Sequence, residues 1–362
     1  MSHVVNKRAR IDGSRMKLHL RNEIDAIRSN PKSASISLPA ALCGMSRRKD
    51  MSWEYGTEVG YSKLKLKPGL WPFDLKEGFE IFETTYTPAK PDSLLHVLSC
   101  LKHANHEKLQ GVVTWRGILS KIMCLPYSQR DSFEFVVWKY KGTMFFSNRE
   151  TQEKIDQENS LSRDSKRFMY YGYKFEEICT RGDEDARDVD SRECYCRVYK
   201  TKLGRTSIIA AGEMDCFDEN KKDIELKVTR MLEHNGHIRS FEKFKLLKFY
   251  CQSYLAGVPN ILVGFRDDEG VIMKTQIFET TKIPQLIRGR ETSLWDSKVC
   301  LQFLDRVLCW VDENVESVDS SVNESDIYVC RFSGTGTLSL TKEPRTEDER
   351  IDQELYDYFD YA

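Results

Sequence analysis

Residues 210 to 230, AAGEMDCFDENKKDIELKVTR, place two short strand-forming runs around a polar, turn-forming centre, and each run carries charge at alternate positions. In an extended chain, residues i and i+2 share a face. Glu213 and Asp215 therefore stand together on the first run, and Glu225 and Lys227 on the second. With Asn220 at the bend, Asp215 falls opposite Glu225 and Glu213 opposite Lys227, and cross-strand partners point to one surface. The expectation is a β-hairpin that holds three carboxylates and one ammonium on a single face.

Three carboxylates within several ångströms raise one another's pKa unless a cation neutralises them. At an effective dielectric of about 20, a like-charge pair at ~4 Å is unfavourable by roughly 4 kcal/mol. A divalent ion removes that penalty. A set of oxygen ligands with no His or Cys beside it favours Mg²⁺ or Mn²⁺ over zinc. A lysine two residues beyond a metal-holding glutamate can orient or help deprotonate a water, or offset charge building on a phosphate. The combination suits hydrolysis of a phosphodiester or pyrophosphate. Any single E-x-D or E-x-K also occurs as the wet face of an ordinary charged strand, so the reading depends on further residues.

Other parts of the chain set the frame. DSLLHVLSCLKHAN (92–105) has helical periodicity with Asp92 as its N-cap, and GVVTWRGILSKIMCLPY starts strand-like before a helix that Pro126 ends. Hairpins are predicted around Lys141-Gly142, Leu203-Gly204 and Asp268-Glu269-Gly270, and a last one in DIYVCRFSGTGTLSLTK. Phe241, Phe244, Leu247 and Tyr250 or Cys251 fall at helical intervals before Gly257, and SLWDSKVCLQFLDRVLCWVDENV is a second amphipathic helix. The acidic stretch 181–193 reads as an exposed loop. Hairpins interspersed with helices, without regular βα alternation, argue for an α+β fold: mixed, largely antiparallel sheets packed by helices in a single domain. Its bounds are read as a flexible N-terminal tail 1–35, a domain 36–345 and an acidic, peripheral C-terminal tail 346–362.

Composition restricts the function classes. The chain of 362 residues is 40% hydrophobic and 31% charged, and no apolar run approaches the eighteen or so residues that span a bilayer. Its N-terminus lacks the apolar centre of a secretory signal, which predicts an intracellular protein, in nucleus or cytoplasm, with its eleven cysteines as free thiols. Cys194 and Cys196 lack a second pair at zinc-finger spacing. A net charge of -1 gives no global attraction to nucleic acid, so a polyanion has to be held in a local groove.

Three more stretches join the hairpin: TWRG with Arg116, GYKFE ending in Glu176, and QSYLAGVPN beginning with Gln252. Together, in this order, the five motifs resemble the DXO family of RNA decapping enzymes and 5′-to-3′ exoribonucleases, over about residues 65 to 310. The resemblance implies a metal-dependent nuclease-like core with Asp215 and Glu225 as direct metal ligands, and Glu176 and Glu213 holding the ions directly or through water. It implies that Lys227 and Gln252 address the scissile phosphate and its attacking water, and that Arg116 meets the 5′-terminal phosphate or nucleotide. Two Mg²⁺ or Mn²⁺ ions would activate water for in-line attack, with RNA 5′ ends as substrate: capped, triphosphorylated or monophosphorylated. The alternatives are a DNA-directed nuclease with the same acid-acid-lysine core, and a catalytically weak protein that binds RNA 5′ ends or recruits a nuclease. Arg266 is read as a structural ion pair outside the catalytic set.

Overall fold

A computed structural model describes residues 16–31, 34–66, 69, 71–86, 93–181, 189–288, 294–319 and 322–361. An eleven-stranded sheet runs, edge to edge, through Met16–His19, Thr337–Glu343, Ile327–Phe332, Phe133–Tyr140, Thr143–Arg149, Val112–Trp115, Thr206–Glu213, Cys194–Leu203, Ala40–Arg47 and Trp53–Tyr55, with Ser317–Val318 beside Phe133–Tyr140. A six-stranded sheet runs through Ser62–Lys63, Cys216–Phe217, Asp223–Arg230, Asn260–Arg266, Val271–Glu279 and Phe73–Asp74. Most pairings are antiparallel. Two parallel pairings flank the predicted site, where Thr206–Glu213 lies beside Val112–Trp115 and Asp223–Arg230 beside Asn260–Arg266.

Period-two alternation sorts the core into layers. Val112, Ile208 and Ala210 face a central layer, made by helices Arg116–Cys124, Leu246–Ala256 and Ser297–Asn314, that also receives Ile261 and Val263 of the smaller sheet. Val113, Ile209 and Ala211 face the other way, onto helix Leu94–His103. The far side of the smaller sheet buries Ile224, Leu226 and Leu262 against Tyr171, Phe175 and Ile178 of the long helix Arg163–Arg181. The helices are thus the spacers between two charged strand ends and set how closely those ends approach.

The expected hairpins form, and their turn residues explain why. Lys141 and Gly142 both adopt positive φ, 46° and 82°, and Gly270 closes its hairpin at 88°. The helix expected over 92–105 spans Leu94–His103, capped by Ser93, whose hydroxyl accepts from Leu95 N at 3.2 Å; Asp92 lies outside the described residues. The Phe241 periodicity is interrupted, because Phe241–Lys245 is a π-turn between Asn235–Ser240 and Leu246–Ala256.

Both chain ends differ from expectation. Met16–His19 pairs with Thr337–Glu343, and helix Leu20–Ser29 buries Leu20 and Ile24, so the polar tail read over 1–35 contains an element anchored by a few apolar side chains. At the other end Leu355 and Tyr356 are buried and Asp360–Tyr361 pairs with Lys108–Leu109. The surface charge of 346–362 conceals that aromatic anchor. All eleven cysteines are free, and no described helix is long and apolar enough to cross a membrane.

Candidate active site

The strand Thr206–Glu213 does not continue into the hairpin. Glu213 pairs with Cys196 in the larger sheet, Met214 N donates to Tyr195 O at 3.0 Å, and only from Cys216 does the chain pair with the smaller sheet, Cys216 with Ile224 and Phe217 with Asp223. That register extends toward Asp215 beside Glu225, as the sequence predicts. The expected pairing of Glu213 with Lys227 does not form, because Met214 is where the chain passes from one sheet to the other. Asp215, at the crossing, accepts Leu226 N on its Oδ2 at 2.6 Å, which ties the strand end to the neighbouring strand through a side chain.

Glu225 is the centre of the site. Its side chain is 1% exposed, and Lys227 Nζ and Gln252 Nε2 both donate to Oε1 at 2.5 Å, while Arg116 Nη1 stands 3.6 Å from Oε2. Burial pushes the Glu225 carboxyl up, but Lys227 and Arg116, with the hydrogen bonds from Lys227 and Gln252, outweigh it and hold it below the usual range. Burial lowers the Lys227 ammonium, and Glu225 and Asp215 more than reverse that, so it stays charged; its Nζ is 4.0 Å from Asp215 Oδ2.

Arg116 arrives because strand Val112–Trp115 ends there and a helix begins. Ala211 pairs with Trp115, so Gly212 lies beneath the arginine. Gln252 descends from helix Leu246–Ala256 and Glu176 from helix Arg163–Arg181 on the opposite side of the smaller sheet.

The remaining carboxylates are electrostatically unsatisfied. Burial and then Glu225 raise Asp215 to about 7. Burial, followed by Asp215 and Glu213, drives Glu176 well above its usual range. Burial also raises Glu213, although Arg47 and Arg116 oppose it. Glu213 is open to solvent yet closely surrounded by protein, as befits the floor of a cleft; it lines both the large cleft and a smaller one that Glu176 and Asp215 share.

Among the described residues no three His, Cys, Asp or Glu side chains close into metal-ligating geometry. The donor chemistry nevertheless fits a hard divalent cation: four carboxylates on one site, three of them raised by mutual repulsion and burial, with no imidazole or thiolate required. Lys227 and Gln252 donate to Glu225, and the Arg116 guanidinium stands beside it.

The structure thus gathers Arg116, Glu176, Glu213, Asp215, Glu225, Lys227 and Gln252 at one place. It adds Arg47, 9% exposed, whose charge reaches Glu213 and whose Nε donates to Arg192 O at 2.7 Å. No motif marked Arg47, because it sits at the end of an otherwise ordinary strand, Ala40–Arg47, and reaches the cleft only through sheet pairing with Cys194–Leu203. Arg266, expected in an ion pair, instead donates to Asp267 O at 2.7 Å and stands over the rings of Phe168 and Tyr171 at 4.8 and 5.2 Å.

Residues 37–356 match the sequence family described as RAI1 like PD-(D/E)XK nuclease. The chain is 34% identical over 294 residues to the decapping and exoribonuclease protein of Xenopus laevis, covering 73% of this chain and 71% of that one. It is 31% identical over 303 residues to the decapping nuclease RAI1 of Emericella nidulans, covering 75% and 83%. Its fold is similar to the crystal structure of Scheffersomyces stipitis Rai1 in complex with (3'-NADP)+ and calcium ion, with a TM-score of 0.76 and 26% identity over 91% of this chain and 96% of that one.

Proposed function

The chain belongs to the RAI1-like PD-(D/E)XK nuclease family, and from that premise we propose that it hydrolyses phosphodiester or pyrophosphate bonds at RNA 5′ ends. Its outcomes would be removal of incomplete or unconventional caps, pyrophosphate release from triphosphate ends, and 5′-to-3′ degradation of the exposed RNA. The observation that carries this reading is the convergence of Lys227, Gln252 and Arg116 on the buried carboxylate of Glu225, beside three carboxylates raised above their usual range.

Nucleases of this fold depend on a divalent metal. Asp215 and Glu225 would hold it, with Glu176 and Glu213 acting directly or through water. When bound, Mg²⁺ or Mn²⁺, two ions in this proposal, supplies Lewis-acid chemistry to the oxygens of the reacting phosphate.

The chain's own residues do the rest. Lys227 is held protonated by its acidic neighbours, so its role is to stabilise negative charge on the scissile phosphate rather than to take a proton. Gln252, one helix above Glu225, can turn its amide from the carboxylate to an attacking water and orient it. Arg116, buried yet short of hydrogen-bond partners at Nη1, is a fixed cation for the 5′-terminal phosphate. Burial of these cations beside the acids keeps their fields strong where charge develops.

Product analysis tests the proposal. RNAs of one sequence carrying a monophosphate, triphosphate, unmethylated cap, methylated cap or nicotinamide-dinucleotide cap are incubated with Mg²⁺ or Mn²⁺. Hydrolysis from at least one 5′ end, lost in Asp215→Asn and Glu225→Ala, is the expected result. Equal cleavage of DNA of the same sequence would favour the broader nuclease reading, and binding without metal-dependent turnover would favour the recruiting one.

A further inference from the structure

The cleft that opens from Glu213 and Gln252 has a volume of about 890 Å³ and one wall built from a single helix face, Gly117, Ser120, Lys121 and Cys124. Three of these four side chains are small. A Cβ added to Gly117 would meet nothing within 4 Å, so the wall is flat and open at the end next to Arg116. The lining also includes Phe133, half-buried, whose ring lies 5.9 Å from Lys121 Nζ. A lysine beside an aromatic ring suits a single nucleic-acid strand, because a phosphate takes the cation and any base can stack.

Most cations of this cleft are already engaged. Lys154 holds Glu150 and Glu158 at 2.9 and 3.3 Å, Lys248 holds Asp131 at 2.9 Å, and Arg149 holds Glu349 and Glu343 at 2.5 and 3.0 Å. Arg130 lies over the Phe244 ring at 4.4 Å. Lys121 has no carboxylate within ion-pairing distance among the described residues. Burial and then Lys154 hold its ammonium below the usual lysine range, against a weaker opposing pull from Glu150, so it sits in a field short of negative charge. It follows Arg116 by five residues, which is about 7.5 Å along the helix axis.

Resting on the proposed function, we propose that Lys121 takes a backbone phosphate one or two nucleotides 3′ of the scissile bond, so that the wall Gly117–Lys121 and Phe133 form a subsite for the body of a single-stranded RNA. Arg116 and Lys121 then read two phosphates of the same strand from one helix. The acids and Lys227 act on the bond between them, and Lys121 fixes the strand's direction.

The test measures binding of a 5′-monophosphate RNA pentanucleotide and a 5′-monophosphate dinucleotide to the full chain, with Ca²⁺ or no metal, over a range of salt, together with Mg²⁺-dependent hydrolysis. The dinucleotide lacks every phosphate assigned to Lys121. Lys121→Ala is expected to weaken pentanucleotide binding more than about tenfold, the size of one charged hydrogen bond. It should reduce the salt slope by about 0.7, the value for one single-strand phosphate contact. KM for the pentanucleotide rises with kcat nearly unchanged, the dinucleotide is unaffected, and Lys121→Arg restores most of the affinity. Unchanged pentanucleotide affinity and slope in Lys121→Ala, or an equal loss for both ligands, overturns the subsite. Absence of both binding and hydrolysis in the wild-type chain would instead overturn the functional reading beneath it.

Discussion

A Cβ built on Gly212 would stand 2.9 Å from Arg116 Nε and 3.1 Å from its Cδ, so the absence of a side chain at position 212 is what lets the buried guanidinium lie against the strand. The same strand continues one residue later into Glu213, and the guanidinium reaches Glu225 at 3.6 Å.

Gly212→Ala is therefore expected to displace Arg116 toward the cleft that it lines rather than merely crowd it, since the guanidinium lies directly against the strand. Overpacking of this kind destabilises by about 1–3 kcal/mol. The larger effect is on function: KM for 5′-monophosphate RNA rises more than about tenfold, as for loss of one charged contact, while kcat falls less. Steady-state kinetics with thermal unfolding checks it; wild-type KM in a folded variant would detach Arg116 from the 5′ phosphate.

The two acids proposed as direct metal ligands should respond to substitution with opposite signs in the absence of metal. Glu225 is satisfied by Lys227, Gln252 and Arg116, and Glu225→Ala leaves the half-buried Lys227 and Gln252 and the buried Arg116 without that carboxylate, which typically destabilises by about 3–5 kcal/mol. Asp215 is raised by burial and by Glu225, and Asp215→Asn removes that charge while its amide oxygen can still accept Leu226 N. Its Tm with EDTA should exceed the wild type's. Both variants lose hydrolysis by on the order of 100-fold or more. A lower metal-free Tm for Asp215→Asn would contradict the electrostatic account.

A pH dependence follows from Asp215. Its folded-state pKa of about 7 lies above the ordinary value of 3.8, so the folded chain binds the proton more tightly than the unfolded one. For a raised carboxyl, the stabilising contribution is full below the unfolded value and is lost as pH rises through the folded value. Glu176 and Glu213, also raised, act in the same direction. Metal-free protein should therefore unfold at lower temperature at pH 8 than at pH 5, by at least about 3 °C. Saturating Mn²⁺ should shrink that difference, and scanning calorimetry in EDTA and in Mn²⁺ reads both arms.

The charge spacing of 213–227 was legible because alternation is a local property: Asp215 and Glu225 could be placed side by side from a bend at Asn220 alone, and the ladder Cys216–Ile224 keeps that register. The failure at Glu213 and Lys227 has a non-local cause. Met214 carries the chain between two sheets, and nothing in two alternating runs says that their far ends belong to different sheets. Arg47 was invisible for the same reason, since strand pairing across some 150 residues brings it to the cleft. Arg116, Glu176 and Gln252 came from the ordered resemblance, not from spacing, because each lies on a different helix. At the chain ends a few apolar residues, Leu20, Ile24, Leu355 and Tyr356, decided the structure against a polar average.

Glu176 depends on a packing contact one residue before it. Phe175 is fully buried against Gly264 of strand Asn260–Arg266, where an added Cβ would stand 2.7 Å from Phe175 Cε2 and 3.0 Å from Ile272 Cδ1. Gly264→Ala must therefore push helix Arg163–Arg181 away from the sheet and carry Glu176 from Asp215 with it. The expected result is a stability loss of about 1–3 kcal/mol and weaker Mn²⁺ binding by calorimetry. Phe175→Leu removes the ring atoms that the methyl would strike, so Gly264→Ala/Phe175→Leu should lose less stability than the sum of the two single changes. The same double variant should regain Mn²⁺ affinity relative to Gly264→Ala, because the helix can settle back. Strict additivity in both measurements would mean that Gly264 and Phe175 do not set the distance between Glu176 and the other acids.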